Sequence, residues 1–171
     1  MKAIICGGRN FNLTDFKEKY PNFEQEILDI FKENNIDEEV CGLAAGADKY
    51  GKYLAENNGI CVKEFPADWK GTEFPDDPCK MLNGPFGKPY NVLAGNNRNK
   101  RMGDYVKNNG GGITIALPGG NGTLHMMKYS LSLGLKVYRF DENTGHFKII
   151  SHIEEGDKIW WTHLWKDYCL P

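Results

Sequence analysis

Short apolar runs alternating with amphipathic stretches restrict this chain more than any other feature of its sequence. Residues 2–6, 39–43, 61–65, 113–117 and 135–140 read as strands. Residues 23–34, 47–58, 95–107 and 124–133 carry helical spacing, with Phe23, Ile27, Ile30 and Phe31 on one face of the first. Apolar strands separated by helices predict a parallel sheet, since parallel neighbours need a crossover and the crossover helices cover both faces. The expected fold class is α/β: a Rossmann-like, doubly wound, mainly parallel sheet with helices on both faces. Ligands on such sheets bind beyond the carboxyl ends of the strands, where the chain order reverses.

Two segments break the alternation. Residues 66–92 hold Pro66, Pro75, Pro78, Pro85 and Pro89 among several glycines, so regular structure is not expected through most of them. A loop of that length is a lid, a binding loop or an interface. The tail from residue 147 carries Phe147, Trp160, Trp161, Trp165 and Tyr168; it forms an edge strand, packs on the core or meets another subunit. The expected organisation is one Rossmann-like domain over 1–146, with an insertion at about 70–93, and an aromatic extension over 147–171.

A chain of 171 residues can bury a real core, and its formal charge of −2 gives no general attraction to nucleic acid or anionic membranes. No apolar run approaches the ~20 residues that span a bilayer, so no membrane partner is expected. The N-terminal run enters a strand and turn directly and is too short for a signal peptide, which makes the expected compartment cytoplasmic. Cys6, Cys41, Cys61, Cys79 and Cys169 form no Cys-x-x-Cys pair, and the three in strands read as buried, reduced thiols. His125, His146, His152 and His163 lack metal spacing, so no metal is expected. Neither a P-loop nor a Gly-x-Gly-x-x-Gly turn is present, which argues against an ordinary ATPase or NAD domain.

Five strand or helix ends carry polar or glycine-rich turns, and on a parallel sheet those ends share one edge. The hexad Pro118, Gly119, Gly120, Asn121, Gly122, Thr123 joins a strand to a helix; its glycines allow close backbone approach, and the first-turn N–H groups and dipole favour phosphate. Gly7, Gly8 and Arg9 add a tight turn and a guanidinium suited to phosphate or carboxylate. Gly46 and Asp48 open a helix, where Asp48 either stabilises the first turn or binds a ribose hydroxyl. Asp68 and Trp69 suit a nucleoside, the ring stacking and the acid binding a hydroxyl or base edge; a buried Trp beside a turn aspartate fits as well. Asn97, Arg98 and Arg101 put amides and cations at a helix start, where the dipole disfavours cations and a bound anion would favour them. His125 falls in the turn after the hexad and either faces the ligand or the helix surface.

These residues, in this order, resemble the SLOG superfamily, specifically its YspA/YpsA-like branch, over roughly residues 2–138. The resemblance implies a Rossmann-like domain that binds nucleotides or nucleotide-derived ligands, with the Pro-Gly-Gly-x-Gly-Thr turn as the phosphate cradle. It also implies a homo-oligomer, since many SLOG-like domains resemble dimers or tetramers. The superfamily includes the LOG phosphoribohydrolases, which cleave the N-glycosidic bond of cytokinin nucleotides, and DprA-like proteins that bind single-stranded DNA. It further includes members proposed to sense or process nucleotide signals. The LOG pattern continues from the cradle to a catalytic glutamate, and here that position is Met126. A thioether cannot act as a general acid or base or stabilise an oxocarbenium ion. The expected function is to bind a phosphorylated nucleotide-like small molecule, sensing or sequestering it, with no cofactor. The alternative is a nucleoside-phosphate N-glycosidase that uses Asp48 or Asp68. Net charge and the lack of an extended basic face count against DNA.

Overall fold

β1 (Lys2–Cys6) runs through the middle of a sheet, and its Ala3, Ile4 and Ile5 are fully buried, as a strand covered on both faces requires. The computed structural model describes residues 1–84 and 87–154. After β1 come α1 (Leu13–Lys19), α2 (Phe23–Glu33), β2 (Glu38–Cys41), α3 (Ala47–Asn57) and β3 (Cys61–Glu64). A short antiparallel hairpin follows, β4 (Met81–Asn83) with β5 (Pro89–Asn91). Then α4 (Ala94–Asn108), β6 (Gly112–Ala116), α5 (Asn121–Ser132), β7 (Lys136–Asp141) and β8 (His146–Ile150).

The main sheet has the order β3-β2-β1-β6-β7-β8, parallel except for β8, which returns antiparallel on β7. The chain steps from β1 outward through β2 to β3, then crosses back to place β6 on the other side of β1. The order therefore reverses between β1 and β6, and a crevice opens beyond their carboxyl ends. In register, Ile5 lies beside Ile115 and Cys6 beside Ala116. The fold is an α/β Rossmann-like sheet with helices on both faces. Among the described residues no helix is long and apolar enough to cross a membrane.

Alternation along the strands divides the core into two layers. On one face Ala3 and Ile5 meet Phe23, Ile27, Ile30 and Phe31 of α2 and Tyr50 and Leu54 of α3. On the other, Ile4 and Val40 meet Met102 and Val106 of α4 and Met126 and Met127 of α5. Each fully buried aliphatic side chain stabilises the fold by roughly 1.5–3 kcal/mol.

Several elements differ from the expected ones for identifiable reasons. α1 was not expected; Asn12 caps it by accepting from the N–H groups of Thr14 and Asp15. β2 ends at Cys41 because Leu43 turns into the left-handed region, at φ 61°. The proline-rich stretch does contain regular structure, the β4–β5 hairpin. Cys6 and Cys41 are buried, but Cys61 is exposed, because β3 is an edge strand with little above or below it. In the aromatic tail, Phe147 sits on β8 and packs edge-on against Phe140 at 5.1 Å. Trp160, Trp161, Trp165 and Tyr168 lie outside the described residues.

Candidate functional site

The loops that leave β1 and β6 are fastened to each other. Gly8 N–H donates to the Pro118 carbonyl at 2.8 Å, Leu117 N–H to the Cys6 carbonyl at 2.8 Å, and Ala47 N–H to the Gly8 carbonyl at 3.2 Å. Gly119 makes this approach possible: a Cβ there would overlap Thr123 Oγ1 and the backbone of Gly7 and Gly8. Gly46, at φ 75°, lets the start of α3 approach the Gly8 and Arg9 backbone in the same way. α5 begins at Asn121, three residues before the helical spacing suggested, so Asn121, Gly122 and Thr123 form its first turn. The N–H groups of Thr123 and Leu124 donate to the Gly120 carbonyl, whereas those of Asn121 and Gly122 have no acceptor among the described residues. Two donors at a positive helix end thus meet a cleft of about 740 Å³.

Of the residues expected at the site, Gly7, Gly8, Arg9, Asp48, Trp69, Arg98 and all six of 118–123 line this cleft. Arg9 is exposed, has no ion-pair partner among the described residues, and holds its guanidinium 5.6 Å from the Trp69 ring. Trp69 is 41% exposed rather than buried. Arg98, by contrast, is occupied by protein: it donates to the Gly42 carbonyl, pairs with Asp48 Oδ2 at 3.4 Å and donates from Nε to Asn99 Oδ1 at 3.1 Å. Burial pushes the Asp48 carboxyl up, and the Arg98 charge and the Ala44 N–H pull it down. Burial likewise lowers Arg98, and Asp48 raises it; the guanidinium keeps its charge, as arginine does in proteins. Asp48 Oδ2 thus serves the Ala44 N–H and Arg98, while the residue also lines the cleft.

Gly46, Asp68, Asn97, Arg101 and His125 do not line the cleft. Asp68 is a turn aspartate. Its Oδ2 accepts from the N–H groups of Glu73 at 2.8 Å and Phe74 at 3.3 Å, shaping the start of the insertion. Against the cost of desolvation, those amides hold its carboxyl below the usual range. Asn97 donates to the Pro78 carbonyl at 2.7 Å. Arg101 pairs with Asp77, covers the Phe74 ring at 3.7 Å and donates to the Pro66 carbonyl at 3.2 Å. Together these tie the insertion to α4. His125 stacks on Tyr129 with ring centroids 6.3 Å apart, and burial, with Lys100 and Lys128 nearby, lowers its pKa. Met126, at the position of the glutamate in the hydrolase pattern, lines the cleft and is 1% exposed.

No family model and no curated protein matches this chain. A solved structure does: the X-ray structure of DNA processing protein A (DprA) from Streptococcus pneumoniae, with a TM-score of 0.54 over 98% of this chain. The two share an α/β Rossmann-like fold. At 17% identity the likeness is one of fold, and the chain spans 56% of the length of that DprA structure.

Among the cleft residues not expected at the site, Asn99 is the one tied to the first turn of α5. Asn99, 5% exposed, donates from Nδ2 to the Gly122 carbonyl at 3.0 Å and lies 3.5 Å from His125 Nδ1. Asp48, Arg98, Asn99 and Gly122 therefore form a continuous polar chain from α3 to the first turn of α5. Its signal in the sequence was the dense Asn-Asn-Arg-Asn cluster, which pointed at the ligand rather than at the loop that would hold it.

Proposed function

We propose that this chain, on the YspA/YpsA-like branch of the SLOG proteins, binds a nucleotide or nucleotide-derived phosphorylated ligand and so senses or sequesters a nucleotide signal. The supporting observation is the pair of free N–H groups on Asn121 and Gly122 at the β1/β6 crevice, in a cleft that also holds the exposed Arg9–Trp69 pair. The amides and helix dipole hold phosphate, Arg9 supplies an exposed positive charge, and Trp69 offers a face for the base. The ligand is held rather than cut: Asp48 is engaged by Arg98, and Met126 carries no proton. Assembly into a homo-oligomer belongs to the same reading and is supported by the exposed Met81 and Leu82 on the hairpin.

Calorimetric titration with AMP, inorganic pyrophosphate and a single-stranded oligonucleotide tests this. The expected result is saturable binding of AMP, weakened about tenfold or more by Arg9→Ala or Trp69→Ala, with unchanged nucleotide recovered by chromatography. Absence of nucleotide binding would sink the proposal, and tighter, salt-dependent binding of the oligonucleotide would replace it with a DNA reading like that in the name of the similar structure.

A further inference from the structure

Asparagine followed by glycine is the dipeptide most open to loss of the side-chain amide, because a residue without Cβ leaves its N–H free to reach the preceding carboxamide. The chain holds four such pairs, Asn58–Gly59, Asn83–Gly84, Asn109–Gly110 and Asn121–Gly122. In three of them the structure engages a group that the reaction needs. Asn58 donates from Nδ2 to the Leu54 carbonyl at 2.8 Å, and the Gly59 N–H donates to the Glu56 carbonyl at 3.2 Å. The Gly84 N–H donates across the hairpin to the Lys88 carbonyl at 2.8 Å. Asn109 donates from Nδ2 to the Tyr105 carbonyl at 2.8 Å, which turns its carboxamide back along α4.

Asn121–Gly122 differs on both counts. The Asn121 side chain is exposed and has no hydrogen-bond partner among the described residues, and the Gly122 N–H has no acceptor among them. A Cβ on Gly122 would meet nothing within 4 Å, so the turn has room to close on itself. The attacking species is the deprotonated Gly122 nitrogen, and the positive end of α5 favours that anion. Asn99 holds this turn only from its other side, through the Gly122 carbonyl at 3.0 Å.

We propose that Asn121 is a deamidation site of this chain, and that the acid formed there closes the cradle to phosphate. The Gly122 nitrogen attacks Asn121 Cγ; the new C–N bond closes a succinimide, and the side-chain nitrogen leaves as ammonia with the proton from Gly122. Water then opens the ring at either carbonyl and leaves aspartate or isoaspartate. Either product places a carboxylate at the helix end where phosphate would sit, and isoaspartate also adds a carbon to the backbone of the first turn. The loss of phosphate binding rests on the nucleotide reading above; the deamidation does not. A phosphate accepting from the Gly122 N–H would hold that nitrogen and protect the site.

Incubation of the full chain in mildly alkaline buffer, followed by peptide mapping with mass spectrometry, reads the amide-to-acid change at each of the four pairs. Asn121 should convert about tenfold faster than Asn58, Asn83 or Asn109. Gly122→Ala, which the open space there accommodates, should slow conversion at Asn121 about tenfold and leave the other three unchanged. Calorimetry with AMP tests the consequence. Asn121→Asp should weaken AMP about tenfold, and AMP present during the incubation should slow the loss of the Asn121 amide. Another pair converting first, or Gly122→Ala leaving the Asn121 rate at wild type, overturns the deamidation site. Equal AMP affinity of Asn121→Asp and wild type overturns its consequence. If the wild-type chain binds no AMP, the nucleotide reading and that consequence fall together, and the peptide map decides the deamidation by itself.

Discussion

Asp48 and Glu39 are both buried carboxyls beside α3, and their surroundings differ completely. Val40 packs toward α4, so its strand neighbour Glu39 points to the α3 face, where Asp48 starts the helix. Asp48 accepts from the Ala44 N–H at 3.2 Å and pairs with Arg98. Glu39 is fully buried, and neither of its oxygens has a hydrogen-bond partner among the described residues. Burial, reinforced by the nearby Asp48 charge, pushes the Glu39 carboxyl up to about 9. A satisfied buried charge fixes geometry, and here it ends at the cradle. An unsatisfied one makes stability depend on pH.

The largest effect should come from breaking the satisfied region. Arg98→Ala leaves Asp48 buried without its cation, and removes the donor to the Gly42 carbonyl and the partner of Asn99. Loss of one member of a buried pair costs about 3–5 kcal/mol, read as a lower midpoint in urea unfolding. The double variant Asp48→Asn with Arg98→Met removes both charges and should recover most of that loss. If Arg98→Ala alone unfolded at the wild-type midpoint, the pair would not organise the fold.

Glu39 should behave in the opposite sense, and its effect is next in size. Its folded pKa lies above the unfolded value, so its stabilising contribution is fully present below about pH 4.5 and declines as pH rises toward about 9. Between those limits the folded state binds a proton that the unfolded state has released, so ΔG of unfolding falls with pH. The decline should total on the order of a few kcal/mol, measured by urea titrations at pH 5, 7 and 9. Glu39→Gln keeps the shape without the titration, and its profile should be flatter over that range. A variant profile parallel to wild type would assign the pH dependence elsewhere.

The same contrast explains what was legible in the sequence. β1, β6 and the 118–123 turn were readable because apolar runs and glycines act locally: Ile4, Ile5 and Ile115 are buried wherever a parallel strand puts them. The occupation of Arg98 was not readable, because Asp48 precedes it by 50 residues and nothing near either residue marks the pairing. Arg101 looked equally free until the fold brought Asp77 to it. Asn99 shows the limit most clearly, since a side chain that holds the Gly122 carbonyl has the same local pattern as one that would hold a ligand. Replacing it tests that distinction. Asn99→Ala should cost about 1–2 kcal/mol as a lost buried hydrogen bond and speed amide exchange at Asn121 to Leu124 without any ligand present. Unchanged exchange there would show that the first turn of α5 stands without it.

The smallest expected effect lies at the opposite extreme of exposure, where a polar group acts through a helix end. Asn12 caps α1 from the surface, accepting from Thr14 N–H at 3.0 Å and Asp15 N–H at 3.4 Å. Asn12→Ala should cost about 1 kcal/mol, less than the loss of Arg98, because water replaces the bonds that the side chain gave up. The consequence is local, however, and falls on one wall of the cleft: α1 carries Phe16 and Lys19 there. Fraying of its first turn should show as faster amide exchange at Thr14 and Asp15, with the amides of α2 and α3 unchanged. Faster exchange in α2 and α3 as well would mean that α1 supports the whole crevice rather than one wall of it.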